Sequence, residues 1–127
     1  MNVLVVCELN FARSIITAFL LKRKAKKENL GLKVGSAGFF TKKLKRDPLE
    51  NIIYLSKEYL PFIPKNEINS EKVCWADKII VMEQYMVHIL KKEYGVGTDK
   101  IICFDISPRN WLPYKIIEKK LRETGFY

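Results

Sequence analysis

Histidine and cysteine are scarce in this chain. A single histidine, His88, leaves no basis for a histidine-built zinc site. Three cysteines, Cys7, Cys74 and Cys103, are odd in number and widely scattered. That pattern suits a reducing compartment and neither a disulfide framework nor a metal centre. No metal site is therefore expected; an organic cofactor is not expected either. Long apolar runs are missing too, since no stretch approaches the ~18 residues of a membrane span. The chain opens directly on a Val-rich run, without a basic leader or a small-residue cleavage site. No membrane partner and a cytoplasmic location are the expectation. Low-complexity tracts are absent, and with 48% hydrophobic and 29% charged residues disorder is not expected beyond the ends. The 127 residues match the size of one domain, so 1–127 is read as a single globular unit.

Acidic residues are outnumbered, 14 against 23 Lys and Arg, for a net charge of +9. The excess gathers in Lys22 to Lys27 and Lys42 to Arg46. Clusters of this kind attract nucleic acid or other anions. Neither is interleaved with aromatic residues in an RNA-binding pattern, and solvated lysine-rich faces are the simpler reading. Nucleic acid is not expected as the partner; it would require steeply salt-dependent binding.

Asn2 to Val6, NVLVV, is a β-branched run without alternation, the pattern of a strand buried on both faces of a parallel sheet. From Ser14, apolar Ile15, Ile16, Phe19 and Leu20 precede a basic stretch and Gly31, which predicts a helix with cations toward its C-terminus. Leu32 to Val34 reads as a second strand, and Gly35 to Gly38 as small residues that permit a tight turn. Asp47 as N-cap and Pro48 at the first position predict a helix to about Tyr59. Lys78 to Met82 reads as a third strand, Glu83 to Tyr94 as a helix stopped by Gly95, and Lys100 to Phe104 as a fourth, buried strand. A last helix is expected from Pro113 to Arg122. Strands alternating with helices predict an α/β domain: a four-stranded parallel sheet with helices on both faces and ligands beyond the carboxyl ends of the strands.

The first strand delivers its end to CELNFARS, Cys7 to Ser14, at the start of a helix. Such a loop can curl its backbone N–H groups inward as an anion nest at the positive end of the helix dipole. The thiolate form of cysteine is the nucleophile, and a nest of amides favours it. Arg13, six residues on, supplies a planar fork suited to two phosphate oxygens. The Cys-to-Arg spacing alone is weak; its placement after the first buried strand, with Ser14 at a helix start, carries the argument. The competing reading of Cys7 is a free thiol packed as a small hydrophobe.

This segment resembles the phosphate-binding loop of the low-molecular-weight protein tyrosine phosphatases, Cys-x-x-Asn-x-x-Arg-Ser, at four positions: Cys7, Asn10, Arg13 and Ser14. The likeness continues at Val34 to Gly38, VGSAG, and at Trp75 to Glu83, WADKIIVME. It implies hydrolysis of a phosphorylated protein or small aryl phosphate, with phosphotyrosine the expected group and a phosphocysteine on Cys7. Glu8, Leu9, Asn10, Phe11 and Ala12 would form the loop. Asn10 and Ser36 would brace it, and Ser14 would donate its hydroxyl to the departing sulfur. Ordinary alternatives are a turn residue for Asn10 and an N-cap for Ser14. Asp77 is implied to be a structural acid.

The family's general acid sits in a loop after the fourth strand. Here Phe104 to Tyr114, FDISPRNWLPY, holds one carboxylate, Asp105. Counted from the strand end, Asp105 falls at the acid's position; counted by the family's longer loop variant, Pro108 does. Glu8 within the loop and Ile15, where a proline is usual, are further departures. Phe11, Trp111 and Tyr114 are expected to wall a substrate cleft; Phe39 and Phe40 divide between cleft and core. Three other functions stay open: a phosphate-binding protein without turnover, an arsenate reductase, for which Cys74 and Cys103 lie too far apart to be a resolving pair, and the nucleic-acid binder above.

Overall fold

The computed structural model describes residues 1–7, 13–39, 67–107 and 114–125. Their elements are β1 (Asn2–Cys7), α1 (Arg13–Glu28), β2 (Lys33–Gly38), α2 (Ser70–Trp75), β3 (Lys78–Val81), α3 (Gln84–Tyr94), a 3-10 turn (Thr98–Lys100), β4 (Ile101–Cys103) and α4 (Tyr114–Glu123). The expected helix over Asp47 to Tyr59 lies outside the described residues, as do Phe40 and the Lys42 to Arg46 cluster. No described helix is long and apolar enough to cross a membrane.

The sheet is four-stranded and parallel throughout, in the order β2-β1-β3-β4. β1 lies inside it, and Val3, Leu4, Val5 and Val6 are buried, which explains their unbroken apolar run. Burying each such side chain contributes roughly 1.5–3 kcal/mol. Winding runs from β1 outward to β2, then back past β1 to β3 and β4. Right-handed crossovers in opposite directions put helices on opposite faces. α1 packs on β1, β2 and α4, while α3 packs on β3 and β4.

β2 departs from expectation. Gly35 to Gly38 are strand, not turn, because pairing with β1 continues through Val5↔Ser36 to Cys7↔Gly38. Six consecutive ladder partners outweigh the weak strand preference of small residues. β4 is also shorter than expected, and its three residues are half-buried rather than fully buried, because it is an edge strand with a neighbour on one side only. The short helix α2 had no counterpart in the sequence reading; Asn69 caps it, its side chain accepting from the Lys72 N–H at 2.8 Å. The stop at Gly95 holds: its φ of 65° closes α3 in the left-handed conformation glycine tolerates.

At the amino end of the sheet, Asn2 N–H donates to Asp77 Oδ2 at 2.7 Å, and Asp77 N–H donates to the Asn2 carbonyl at 2.7 Å. This reciprocal clasp locks β1 beside the entrance to β3. Asp77 thus lies at the end of the sheet opposite Cys7.

Candidate active site

Three strand ends converge at the carboxyl edge of the sheet. Cys7 is the last residue of β1, buried, with Phe39 N–H donating to its carbonyl at 3.1 Å. The chain returns at Arg13 to start α1, so the first turn of that helix faces the strand end. There the Cys7 thiol donates to the Ser14 hydroxyl at 3.0 Å, and Ser14 is completely buried. A buried hydroxyl against a buried sulfur is a polar contact inside apolar surroundings, where it is stronger than in water.

Arg13 is only 7% exposed. Its Nη1 donates to the Ile106 carbonyl at 2.7 Å and meets Glu83 Oε2 at 3.1 Å. A buried guanidinium without partners would be costly, and a carboxylate and a carbonyl together offset that cost. Each partner is fixed from its own strand. Glu83 is the N-cap residue of α3, just past β3. Ile106 follows β4 and is held by its own N–H donating to the Met82 carbonyl at 2.8 Å. Thr17 Oγ1 donates to the Arg13 carbonyl at 2.8 Å within the first turns of α1. The arginine is thereby tied to β3 and β4 while its backbone belongs to the β1–α1 connection, across the point where the winding reverses. That crevice is where parallel α/β sheets bind ligands.

Asp105 lies one residue before Ile106, exposed, with a left-handed φ of 54°. Its Oδ1 accepts from Gln84 Nε2 at 3.2 Å and from the Cys103 thiol at 3.4 Å. Burial, the largest cause, pushes the Cys103 thiol up from its ordinary value, and the charges of Asp105 and Glu83 add to that. Ser36 stands in β2 opposite Val5, half-buried. Tyr114 opens α4, and its hydroxyl accepts from Arg23 Nη2 at 3.3 Å. Phe39 is buried in the core, which decides between its two readings. Glu8, Leu9, Asn10, Phe11, Ala12 and Trp111 lie outside the described residues.

Glu83 and the Ile106 carbonyl were missed as site groups. A signal for Glu83 was present, since it is a carboxylate directly after the third strand, on the ligand-binding edge. For a backbone carbonyl no side-chain pattern exists. Among the described residues no group of three or more His, Cys, Asp or Glu is arranged to hold a metal ion.

No curated protein sequence matches the chain. Solved structures do. A mutant of YwlE from Bacillus subtilis superposes with a TM-score of 0.70 at 23% identity, over 97% of this chain and 90% of that one; another YwlE structure is described as an arginine phosphatase with a phosphorylated active-site serine. The low molecular weight protein tyrosine phosphatase from T. tengcongensis gives 0.72 at 21%, over 99% and 94%. The tyrosine phosphatase Wzb from Escherichia coli K30, in complex with sulphate, gives 0.76 at 18%, over 97% and 94%. These likenesses establish the fold. The sequence profile of low molecular weight phosphotyrosine protein phosphatases matches residues 2–112, and with that span covering nearly all of the chain, the protein belongs to this phosphatase family.

Proposed function

We propose that the protein hydrolyses phosphomonoesters, phosphotyrosine in a protein or a small aryl phosphate, by double displacement at Cys7. The observation that carries this reading is the convergence of the buried Cys7 sulfur, the Ser14 hydroxyl and the anchored Arg13 guanidinium at one strand edge. Both Arg13 side-chain contacts among the described residues engage Nη1. The Nε–H and Nη2–H edge of the fork therefore suits two oxygens of a phosphoryl group, with charge-assisted bonds that strengthen as charge develops.

Cys7 attacks phosphorus as the thiolate, the P–O bond to the leaving group breaks, and the leaving oxygen takes a proton from Asp105. Water then attacks the phosphocysteine, giving its proton back to the Asp105 carboxylate; the P–S bond breaks, and the Ser14 hydroxyl, 3.0 Å from the sulfur, turns to donate to the departing thiolate. Asp105 is assigned as acid because it adjoins the carbonyl that anchors Arg13, on the loop after β4. The family relation supports phosphotyrosine, and the described arginine phosphatase makes phosphoarginine a substrate to assay beside it. Three free cysteines support a cytoplasmic enzyme.

A second reading is phosphate binding without turnover. It is favoured by the engagement of the Asp105 carboxylate with Gln84 and Cys103. Hydrolysis of an aryl phosphate across pH, in the presence of a chelator, separates the two. Turnover lost in Cys7→Ser and slowed in Asp105→Asn for substrates with poor leaving groups supports the enzyme and its acid. An inactive wild type that still binds vanadate moves the assignment to the second reading.

A further inference from the structure

β3 ends at Val81, and the chain passes through Glu83 into α3, whose first residue is Gln84. Glu83 Oε2 meets Arg13 Nη1 at 3.1 Å, and Gln84 Nε2 donates to Asp105 Oδ1 at 3.2 Å. Two adjacent side chains at one helix start thus reach the proposed phosphate clamp and the proposed acid.

The backbone on either side of Asp105 is pinned to the end of β3. Phe104 N–H donates to the Val81 carbonyl at 2.9 Å, and Ile106 N–H donates to the Met82 carbonyl at 2.8 Å. Between them Asp105 takes a left-handed φ of 54°, uncommon outside glycine and kept where the surroundings hold it. Its Cα is therefore fixed, while an exposed carboxylate could still rotate about its side-chain bonds. Gln84 Nε2 and the Cys103 thiol, the latter 3.4 Å away, both donate to Oδ1 and restrict that rotation. An oxygen that accepts two hydrogen bonds is the carbonyl oxygen of the protonated group, which leaves the hydroxyl to Oδ2. Solvation alone accounts for an exposed glutamine at a helix start. It does not account for two donors from different elements meeting on one carboxylate oxygen.

We infer that Gln84 is the positioning residue of the general acid: it turns Asp105 so that Oδ1 stays the acceptor and Oδ2 carries the proton to the leaving oxygen. The inference rests on the phosphatase reading and on Asp105 as its acid. A thiol is a weak donor, so the glutamine amide supplies most of the hold. As the P–O bond breaks, its electron pair goes to the leaving oxygen, which takes the proton from Oδ2. Asp105 is left as a carboxylate with the Gln84 N–H still on Oδ1. A hydrogen bond to a charged acceptor is stronger than one to a neutral acceptor, so this contact strengthens toward the transition state and aids the chemical step.

The test compares kcat/KM for phenyl phosphate, whose leaving group needs a proton, and for dinitrophenyl phosphate, whose leaving group does not. The proteins are the wild-type chain, Gln84→Met, Asp105→Asn and the double variant. Methionine keeps the length and helix preference of glutamine and removes the donor. The expected result in Gln84→Met is a fall of roughly threefold to tenfold for phenyl phosphate, a much smaller change for dinitrophenyl phosphate, and an unchanged melting curve. In the Asp105→Asn background the Gln84 substitution should have no further effect, because a residue acting through the acid has nothing left to act on. An equal fall for both substrates, or a full Gln84→Met effect without the Asp105 carboxyl, overturns the inference. Unchanged kinetics in Gln84→Met beside an active wild type overturn the inference alone, whereas an inactive wild type overturns the phosphatase reading and the inference with it.

Discussion

Arg13 and Glu83 meet at 3.1 Å across the reversal point of the sheet, one from the connection after β1 and the other from the turn after β3. The contact is mostly buried, so it is less screened than a surface pair. Its consequence is that Arg13, the proposed phosphate clamp, is oriented by a residue far away in sequence.

Glu83→Gln keeps the shape at that position and removes the charge. Loss of a buried charge-assisted bond is worth about 1.5–3 kcal/mol. The expected outcome is a fall in kcat/KM of roughly tenfold to a hundredfold, with turnover still present and the fold intact. Steady-state kinetics beside thermal melting checks it; an unchanged kcat/KM shows that Arg13 is held without Glu83.

Ser14→Ala removes the hydroxyl 3.0 Å from the Cys7 sulfur. If that hydroxyl eases departure of the thiolate, breakdown of the phosphoenzyme slows more than its formation. Rapid-mixing kinetics with an aryl phosphate should show a burst of phenol release followed by a steady state slower by about tenfold or more. Equal slowing of both phases would instead indicate damage to the loop.

Cys103 and Cys74 should separate by alkylation rate. Burial raises the Cys103 thiol, which lowers its thiolate fraction at a given pH, whereas Cys74 is exposed to the reagent. Mass-spectrometric mapping after brief iodoacetamide treatment near pH 8 should find Cys74 labelled first. Asp105→Asn removes a charge that disfavours the Cys103 thiolate, and labelling of Cys103 should then speed up. The reverse order would contradict the half-buried placement of Cys103.

Asp77→Ala serves as the control at the far end of the sheet. It removes the side-chain half of the clasp with Asn2 and should cost about 0.5–1 kcal/mol of stability, seen as a lower denaturant midpoint, while kcat/KM stays at the wild-type value. A large loss of turnover would mean that the two ends of the sheet are coupled.

Local pattern carried much of this reading. Cys7, Arg13 and Ser14 were legible because a strand end, a short loop and a helix start are adjacent in the chain. The stop at Gly95 was legible because a left-handed cap depends on one residue. The strand status of Gly35 to Gly38 was not, because it depends on β1 as a neighbour. Asp105 was identified as the one carboxylate of its loop, but the contacts with Gln84 and Cys103 that orient it come from other elements.

The sequence by itself determined the alternation of strands and helices, the doubly covered parallel sheet, and the placement of Cys7, Arg13 and Ser14 between a strand end and a helix start, because hydrophobic periodicity and loop chemistry act over a few neighbouring positions. Only the tertiary structure decided that Arg13 is anchored by Glu83 and the Ile106 carbonyl, that the Asp77 clasp lies away from Cys7, and that Gln84 meets the Asp105 carboxylate. Those relations depend on which strand ends and helices become neighbours, and that is settled by burying the whole sheet at once rather than by any segment's own preference.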